Sequence, residues 1–194
     1  MTDFTILPEG LEAPLDDGGA AHLTGRRLPS LALSSTAGGQ VDLARLKGLA
    51  VLYLYPMTGR PGLPLPGGWD EIPGARGCTP QACGFRDHFA EMHRLGVAHV
   101  FGVSTQTTAY QREAAERLHL PFPLLSDAAV ELAEMLDVPV FDVDGDTLFK
   151  RLTLIARDGE IVKVFYPVFP PDRNAEDVAE WLAEHREALS QPRM

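Results

Sequence analysis

The chain contains two cysteines, Cys78 and Cys83, and their side chains are the ones best suited to redox or nucleophilic chemistry. Both lie in the stretch of residues 77–87, which reads GCTPQACGFRD. Pro80 suits the first turn of a helix. Apolar residues then repeat at helical spacing up to Gly96: Phe85, Phe89, Met92 and Leu95. The pattern therefore predicts a helix that begins at Cys78.

This helix would give the two thiols different surroundings. A thiol at a helix N-terminus meets the positive end of the backbone dipoles and unpaired N–H groups, which favour thiolate over thiol. Cys78 has this position, whereas Cys83 lies inside the predicted helix. The asymmetry predicts that Cys78 attacks a substrate and that Cys83 reacts with the product.

The spacing also indicates what a disulfide between the two cysteines would require. Five residues along an α-helix correspond to a rise of about 7.5 Å and place the Cα atoms roughly 8.5–9 Å apart. A disulfide rarely tolerates a Cα separation above about 7 Å. Because an intact helix prevents the bond, we expect the start of the helix to unwind when the bond forms.

Two other interpretations of the cysteines are possible. A buried cysteine is often a small, inert apolar side chain. Alternatively, Cys78, Cys83, His88 and His93 recur at a constant interval, as metal ligands sometimes do. That interval turns each side chain by about 140° around a helix, so the four cannot face one point. We therefore expect no metal.

Composition limits the class of protein. The chain has 194 residues and a formal net charge of −10. This length suits one domain whose core needs no disulfides, and two cysteines are typical of a reducing compartment. The acidic balance argues against a nucleic-acid or membrane partner. With no signal-peptide pattern and no apolar run of about 20 residues, we expect a soluble, cytoplasmic protein.

The hydrophobic pattern predicts a strand and a long loop before the first cysteine. Residues 49–55 form an unbroken apolar run that ends at Pro56, which is typical of a central strand buried on both faces. Residues 57–77 are rich in glycine and proline. A loop of this length inside a domain is functional or disordered, and Trp69 indicates that it packs against the domain.

Further strands and helices follow the first helix. We predict a strand at residues 97–104, a helix at 107–118, a strand at 122–125 and a helix at 126–136 that is capped by Ser126 or Asp127. Residues 148–156 and 161–166 flank an Asp-Gly turn, which indicates an antiparallel hairpin. A last helix is expected to be capped by Asp172 or Asn174.

This order of elements predicts the fold class. Alternating strands and helices give a parallel sheet covered by helices, and the terminal hairpin adds an antiparallel edge. We predict an α/β protein with a thioredoxin-like fold, in which helices flank a central mixed sheet. Residues 1–27 are expected to form an irregular N-terminal extension with a short helix near residues 7–15, followed by the domain at residues 28–190.

Four segments resemble one protein family. They are LYLYP at residues 52–56, GCTPQACGFRD at 77–87, VS at 103–104 and LPFPLLSD at 120–127. Together they resemble the peroxiredoxin Q, or bacterioferritin-comigratory-protein, branch of the peroxiredoxins. The likeness covers roughly residues 28–185. Its core pattern, G-C-T-x-x-A-C-x-F-R-D, is specific to that branch, whereas the spacing of two cysteines by four residues is not specific on its own.

The resemblance implies a thiol peroxidase that acts on hydrogen peroxide and on organic hydroperoxides. Cys78 would attack the peroxide as a thiolate and become a sulfenic acid, which Cys83 would resolve to an intramolecular disulfide. Thioredoxin or a similar dithiol protein would then reduce the disulfide. The resemblance implies no metal, haem or flavin cofactor. It also implies a monomer, although the sequence itself does not reveal the oligomeric state.

The family also uses an arginine beside the thiolate, in a strand that reads R-x-T-F-L-I or similar. Residues 151–155 read RLTLI here, so Arg151 is the matching candidate. Its guanidinium would stabilise the thiolate and hold the peroxide oxygens through charge-assisted hydrogen bonds. Arg76, two residues before Cys78, is a second candidate for substrate binding. For both arginines, the alternative is a solvated side chain without a catalytic role.

One segment departs from the family pattern P-x-x-x-T/S-x-x-C. Ala75 and Glu71 occupy the positions of its hydroxyl residue and its proline. Pro56 and Thr58 are instead separated from the first cysteine by an insertion of roughly fifteen residues. Thr58, Thr79 or a backbone group would then supply the hydrogen bond to peroxide, or turnover is weak. The insertion is also a candidate lid that selects peroxides.

Two other functions compete with the peroxidase. A disulfide reductase of the thioredoxin type would use a C-x-x-C motif, which the sequence lacks. A non-catalytic redox sensor or binding module with the same fold is favoured by the missing hydroxyl at Ala75. Peroxide consumption over repeated turnovers separates these functions from the peroxidase.

Overall fold

A central mixed β-sheet organises the protein, whose computed structural model describes Phe4 and residues 6–191. The strands are β1 (Ala32–Ser35), β2 (Gln40–Asp42), β3 (Leu49–Leu54), β4 (Val97–Ser104), β5 (Leu124–Ser126), β6 (Val140–Val143), β7 (Asp146–Phe149), β8 (Leu152–Arg157) and β9 (Glu160–Phe165). Seven of them form one sheet in the order β2-β1-β5-β4-β3-β8-β9, and β6 pairs with β7 separately. In the large sheet β3, β4 and β5 run parallel, and the outer pairs are antiparallel. The predicted α/β fold with a central mixed sheet is confirmed.

Six α-helices accompany the strands in the described residues. They are α1 (Cys78–Asp87), α2 (Phe89–Arg94), α3 (Thr108–Arg117), α4 (Glu131–Leu136), α5 (Asn174–Glu184) and α6 (Arg186–Ser190). None of these helices is long and apolar enough to cross a membrane.

Strand β3 joins the two halves of the core because all its residues are apolar and buried. Successive side chains of a strand point to opposite faces, so Leu52 and Leu54 join one core cluster and Val51 and Tyr53 join the other. On the second face, Phe85 of α1 stacks on Tyr53 with ring centroids 4.3 Å apart. This contact holds α1, whose first residue carries the first thiol, against the centre of the sheet.

Several predicted elements agree closely with the structure. Strand β4 has the predicted bounds, and β3 ends one residue before the predicted strand does. The Thr107 side chain caps α3 by accepting a hydrogen bond from the backbone N–H of Tyr110 at 3.3 Å. Strands β8 and β9 form the predicted antiparallel hairpin, but the strand predicted at residues 148–156 is divided, because Leu148 and Phe149 belong to β7. In these segments, local periodicity and turn chemistry agree with the tertiary structure.

The helix predicted at residues 126–136 begins later than expected. Ser126 ends β5, which pairs with both β4 and β1, and α4 begins only at Glu131. The Asp127 carboxylate still accepts hydrogen bonds from the N–H groups of Leu132 and Ala133, at 3.1 and 3.3 Å. Pairing within the sheet therefore overrides the local signal for a helix start at Ser126.

The predicted cap of the last helix is wrong. Helix α5 begins at Asn174 itself, and Arg173 at the N-cap position makes no capping hydrogen bond with its side chain. Asp172 lies in the preceding 3₁₀ turn, Pro171–Arg173. The Asn174 side chain is turned into the interior, where 1% of the residue surface is exposed. Its amide therefore serves another set of partners, described below.

The short helix predicted at residues 7–15 is also wrong. The described part of this region contains turns and extended backbone, because Pro8 and Pro14 interrupt a helix and Gly10 has a φ of +76°. Further along, Ala20 and Leu23 are buried in the core of the domain. The division into an extension of residues 1–27 and a domain of residues 28–190 stays a prediction.

The long loop of residues 57–77 packs against the domain as predicted. Its only regular element is a 3₁₀ turn, Trp69–Glu71. The Trp69 ring is buried and lies 6.2 Å from the ring of Phe141 in β6, with Leu148 of β7 in the same apolar cluster. The β6–β7 hairpin, which the sequence analysis did not predict, thus supports the loop that leads to α1.

Candidate active site

Cys78 is the first residue of α1, and only 3% of its surface is exposed. Gly77 precedes it with a φ of +98°, a conformation that favours glycine, and no side chain caps this helix end. Pro80 lacks an N–H group and needs no partner in the first turn. The positive end of a ten-residue helix is therefore directed at the thiol.

Arg151 brings a fixed positive charge into contact with Cys78. Arg151 directly precedes β8, which pairs with β3. Because α1 packs on β3 through Phe85 and Tyr53, Arg151 lies beside the start of α1. Its Nη2 donates a hydrogen bond to Cys78 Sγ at 3.2 Å. The same nitrogen lies within 3.0–3.2 Å of three loop carbonyl oxygens, those of Gly74, Ala75 and Arg76. These contacts hold a guanidinium that can stabilise a thiolate.

A buried chain of hydrogen bonds holds Arg151 from its other side. Arg151 Nη1 donates to Gln81 Oε1. Gln81 Nε2 donates to Asn174 Oδ1 at 2.9 Å, and the Thr153 hydroxyl donates to the same oxygen at 2.7 Å. All four residues are at most 3% exposed. The guanidinium is thus positioned by α1, β8 and α5 together.

The sequence analysis missed the three residues of this chain that lie beyond Arg151. Gln81 could have been found, because it lies three positions after Cys78 on the same helical face. Thr153 lies two positions after Arg151 and therefore on the same face of the strand. Asn174 has no comparable signal, since an asparagine at a helix start suggests a cap. Only the tertiary structure shows its role.

A small pocket adjoins Cys78 and has a volume of about 20 Å³. Thr79 Oγ1 is buried and has no hydrogen-bond partner among the described residues, and Thr79 lines this pocket beside the thiol. The lining residues come from the chain start, the long loop and α1: Phe4, Ile6, Pro8, Met57, Gly59, Leu65, Trp69, Arg76, Gly77, Cys78 and Thr79. The free hydroxyl is a donor suited to a small polar substrate.

The other residues predicted to bind substrate lie in different places. Arg76 lines the pocket, but its guanidinium forms an ion pair with Asp70 at 2.9 Å. Thr58 and Pro56 are buried and are absent from the pocket lining. The Thr58 hydroxyl donates to Gln106 Oε1 at 3.2 Å, which fixes the start of the long loop to the segment after β4. Of Thr58 and Thr79, only Thr79 lines the pocket to which Cys78 contributes.

Ala75 and Glu71, which depart from the family pattern, also differ in position. Ala75 is fully buried against Trp69, and its carbonyl oxygen accepts a hydrogen bond from the Cys78 thiol at 3.6 Å. Glu71 is exposed at the end of the 3₁₀ turn. The backbone at Ala75 therefore contacts the thiol even though its side chain carries no hydroxyl.

Cys83 lies in the second turn of the same unbroken helix and is partly exposed. Both cysteines are free thiols. Burial raises the pKa of the Cys83 thiol above its ordinary value, and the nearby Arg86 guanidinium opposes this effect. Because α1 is intact between the two residues, a bond between them requires the start of the helix to unwind, as the spacing predicts.

The described residues contain no group of three or more His, Cys, Asp or Glu side chains that could hold a metal ion. The set of Cys78, Cys83, His88 and His93 is spread along α1 and α2. His88 Nδ1 instead forms a hydrogen bond with the carbonyl oxygen of Gly84 at 3.0 Å.

Comparisons with known proteins connect this arrangement to one family. The model of the Redoxin family matches residues 23–180. Peroxiredoxin Bcp of Escherichia coli is 34% identical over 167 residues, with 81% of this chain and 93% of the relative covered. Chloroplastic peroxiredoxin Q of Oryza sativa is 30% identical over 151 residues, which cover 77% of this chain. The match spans 62% of the length of that plant relative.

A solved structure supports the same relation. Peroxidoxin BcpB from Mycobacterium tuberculosis superposes with a TM-score of 0.67 at 27% sequence identity. The match covers 83% of this chain and 96% of that one. The thioredoxin-like arrangement of the central sheet and its helices is therefore shared with a peroxiredoxin of known structure.

Proposed function

Because the chain belongs to the redoxin family, and within it to the peroxiredoxin Q and Bcp branch, we propose that it is a thiol-dependent peroxidase. The observation that supports this most directly is the contact of 3.2 Å between Arg151 Nη2 and Cys78 Sγ at the N-terminus of α1. A buried thiol beside a fixed guanidinium and a free hydroxyl suits attack on a small, polarisable O–O bond.

In the first step, the Cys78 thiolate attacks one oxygen of the peroxide ROOH. An S–O bond forms while the O–O bond breaks, and the leaving RO⁻ takes up a proton and departs as water or an alcohol. The sulfur becomes a sulfenic acid and loses two electrons. Arg151 stabilises the negative charge that moves from sulfur to the leaving oxygen, and the Thr79 hydroxyl donates a hydrogen bond to the peroxide.

In the second step, the Cys83 thiol attacks the sulfenic sulfur of Cys78. A disulfide forms and one water molecule leaves, so the protein is oxidised by two electrons in total. Thioredoxin or a similar dithiol protein then transfers two electrons and two protons, which restores both thiols. Helix α1 unwinds at its start before the disulfide forms and folds again after reduction.

The proposed cycle sets the conditions under which the protein works. All electrons pass through thiols, so the cycle uses no metal, haem or flavin. The free thiols must be regenerated, which suits a reducing compartment such as the cytoplasm. We further propose that the protein works as a monomer.

The test is peroxide consumption coupled to thioredoxin, thioredoxin reductase and NADPH, with Cys78→Ser and Cys83→Ser variants as a pair. Cys78→Ser should abolish NADPH oxidation. Cys83→Ser should still reduce one equivalent of peroxide but stop before thioredoxin turnover. Peptide mapping of the oxidised wild-type protein should show a Cys78–Cys83 link. Wild-type consumption of peroxide by Cys78→Ser would disprove the assignment.

A redox sensor is the second candidate, and the buried methyl group of Ala75 favours it. A sensor would react once with peroxide at Cys78 without repeated turnover. The coupled assay distinguishes the two functions, because a sensor consumes about one equivalent of peroxide per protein without sustained NADPH oxidation, whereas a peroxidase consumes many equivalents of both.

A further inference from the structure

The start of the chain lies against the thiol pocket, although it belongs to the region that the sequence left without a role. We call Phe4 and residues 6–8 the strap. Phe4, Ile6 and Pro8 line the pocket together with Cys78 and residues of the long loop. The family match begins only at residue 23, so the strap lies outside it.

The strap closely contacts two backbone positions of the pocket. A Cβ atom built on Gly59 would lie 2.5 Å from the Phe4 ring, so the loop backbone and the ring are in direct contact. A Cβ atom built on Gly77 would lie 2.7 Å from Leu7 Cδ2. Gly77 immediately precedes Cys78, so the strap contacts the chain on both sides of the pocket.

A cation–π contact and an ion pair attach the strap to the long loop. The Arg76 guanidinium lies over the Phe4 ring, 6.0 Å from its centroid, and pairs with Asp70 at 2.9 Å. The Arg76 side chain is only 12% exposed. Arg76, predicted from the sequence to bind substrate, therefore holds the aromatic ring that borders the pocket.

The space left beside the thiol is very small. The pocket that adjoins Cys78 has a volume of about 20 Å³. Hydrogen peroxide, with two oxygen atoms and no carbon, needs far less space beside the sulfur than the aromatic ring of cumene hydroperoxide does.

A larger cavity of about 350 Å³ lies nearby but does not provide an alternative site for a bulky peroxide. It borders Arg151 and Gly74 and extends to Tyr166. Cys78 does not contribute to its lining in the described part of the chain. A peroxide bound there would not contact the sulfur.

We propose that the strap restricts Cys78 to hydrogen peroxide and to peroxides of similar size. This inference rests on the proposed peroxidase function. Phe4 lines the pocket and excludes bulky organic hydroperoxides, Leu7 packs the strap against Gly77, and Arg76 keeps Phe4 in place. Removing these side chains opens the pocket toward solvent and admits larger substrates.

The first experiment compares hydrogen peroxide with cumene hydroperoxide in full-length proteins. The double variant Phe4→Ala/Leu7→Ala should raise the ratio of the cumene rate to the hydrogen peroxide rate by about tenfold. Leu15→Ala is the control, because Leu15 is also a large apolar residue near the chain start but is 88% exposed and outside the pocket. A ratio that is the same in all three proteins would overturn the proposal.

The second experiment tests the strap without peroxidase activity. In a Cys83→Ser background, Cys78 is the sole thiol and can be alkylated by iodoacetamide or by the bulky N-(1-pyrenyl)maleimide. The Phe4→Ala/Leu7→Ala changes should raise the pyrenylmaleimide rate, relative to the iodoacetamide rate, by about tenfold. An unchanged relative rate would overturn the strap. If no variant consumes peroxide, the proposed function fails while this measurement still decides the role of the strap.

Discussion

The two sides of the Cys78 thiol are built in opposite ways. One side consists of buried polar groups, with Arg151, Gln81 and Asn174 at most 3% exposed and joined by hydrogen bonds. The other side consists of apolar side chains of the strap, which are partly or largely exposed. The polar side draws on three elements of the core, whereas the strap lies at the edge of the fold.

From this difference we infer that the polar side controls how fast Cys78 reacts, and that the strap controls which peroxides reach it. Groups that stabilise charge must be fixed before the reaction and shielded from water, which a core supplies. A surface that selects substrates by size needs only to occupy space. We therefore expect changes on the polar side to lower the rate with every peroxide, and changes in the strap to alter which peroxide reacts.

The largest effect is expected for Arg151→Ala. Losing one preorganised donor to the reacting atoms typically costs about 10²–10³ in rate. The reaction with hydrogen peroxide should slow by about this factor in stopped-flow measurements. Arg151→Lys should recover only part of the rate, because an ammonium group cannot reproduce the two-sided contacts of the guanidinium.

Arg157→Ala is the matched control for this prediction. Arg157 ends the same strand but bonds to carbonyl oxygens near the end of α6. Its loss should leave the peroxide rate unchanged. If Arg151→Ala and Arg157→Ala react equally fast with peroxide, the polar side of the thiol does not control its reactivity, and the comparison with the strap would fail.

Asn174→Ala should have a smaller effect, which lowers both the rate with peroxide and the free energy of unfolding. It leaves the donors of Gln81 and Thr153 without their acceptor, and each buried unsatisfied group costs about 1–3 kcal/mol. The free energy of unfolding in urea should fall accordingly. Because Gln81 then holds Arg151 less firmly, the rate with peroxide should fall by about tenfold at unchanged saturation behaviour.

Thr153→Val separates positioning from stability in this prediction. It removes the donor of Thr153 but preserves the contacts from Asn174 through Gln81 to Arg151. The variant should lose stability with a smaller loss of rate than Asn174→Ala. Equal loss of rate in the two variants would contradict a positioning role for Asn174.

The smallest effect concerns the pH dependence of disulfide formation. The raised pKa of Cys83 keeps its thiol protonated at neutral pH, so the thiolate fraction and the rate of the second step should grow as pH rises. Arg86→Ala should move this rise to higher pH and Asp87→Asn to lower pH, because Arg86 lowers and Asp87 raises the Cys83 pKa. Tryptophan fluorescence after a peroxide pulse measures the rate.

A comparison of Arg86→Ala with Asp87→Asn also shows whether α1 is still folded when Cys83 loses its proton. If Arg86→Ala and Asp87→Asn leave the pH profile unchanged, Cys83 loses its proton only after α1 has unwound and its neighbours have moved away. The expectation that the folded helix sets the pKa of the Cys83 thiol would then be wrong. Neither result bears on the proposed role of the strap.

The sequence predicted much of the fold because local signals and tertiary structure agree there. The apolar run of β3, the helical pattern of α3 and the Asp-Gly turn of the β8–β9 hairpin each express a local preference. The start of α4 was misplaced because β5 takes Ser126 into the sheet. The cap at Asn174 was wrong because its side chain has partners far away in the sequence.

The sequence by itself predicted the position of Cys78 at the start of a helix, and the structure confirms it. Two cysteines at this spacing, with Gly77 before and Pro80 after the first, specify a thiol at a helix start, and that is a local property. The family resemblance pointed to Arg151 across a long stretch of chain. The tertiary structure alone decided what surrounds the thiol, because side chains more than ninety residues apart meet there. The strap is the clearest example, because its apolar residues show no periodicity in the sequence and only the fold places them beside the thiol.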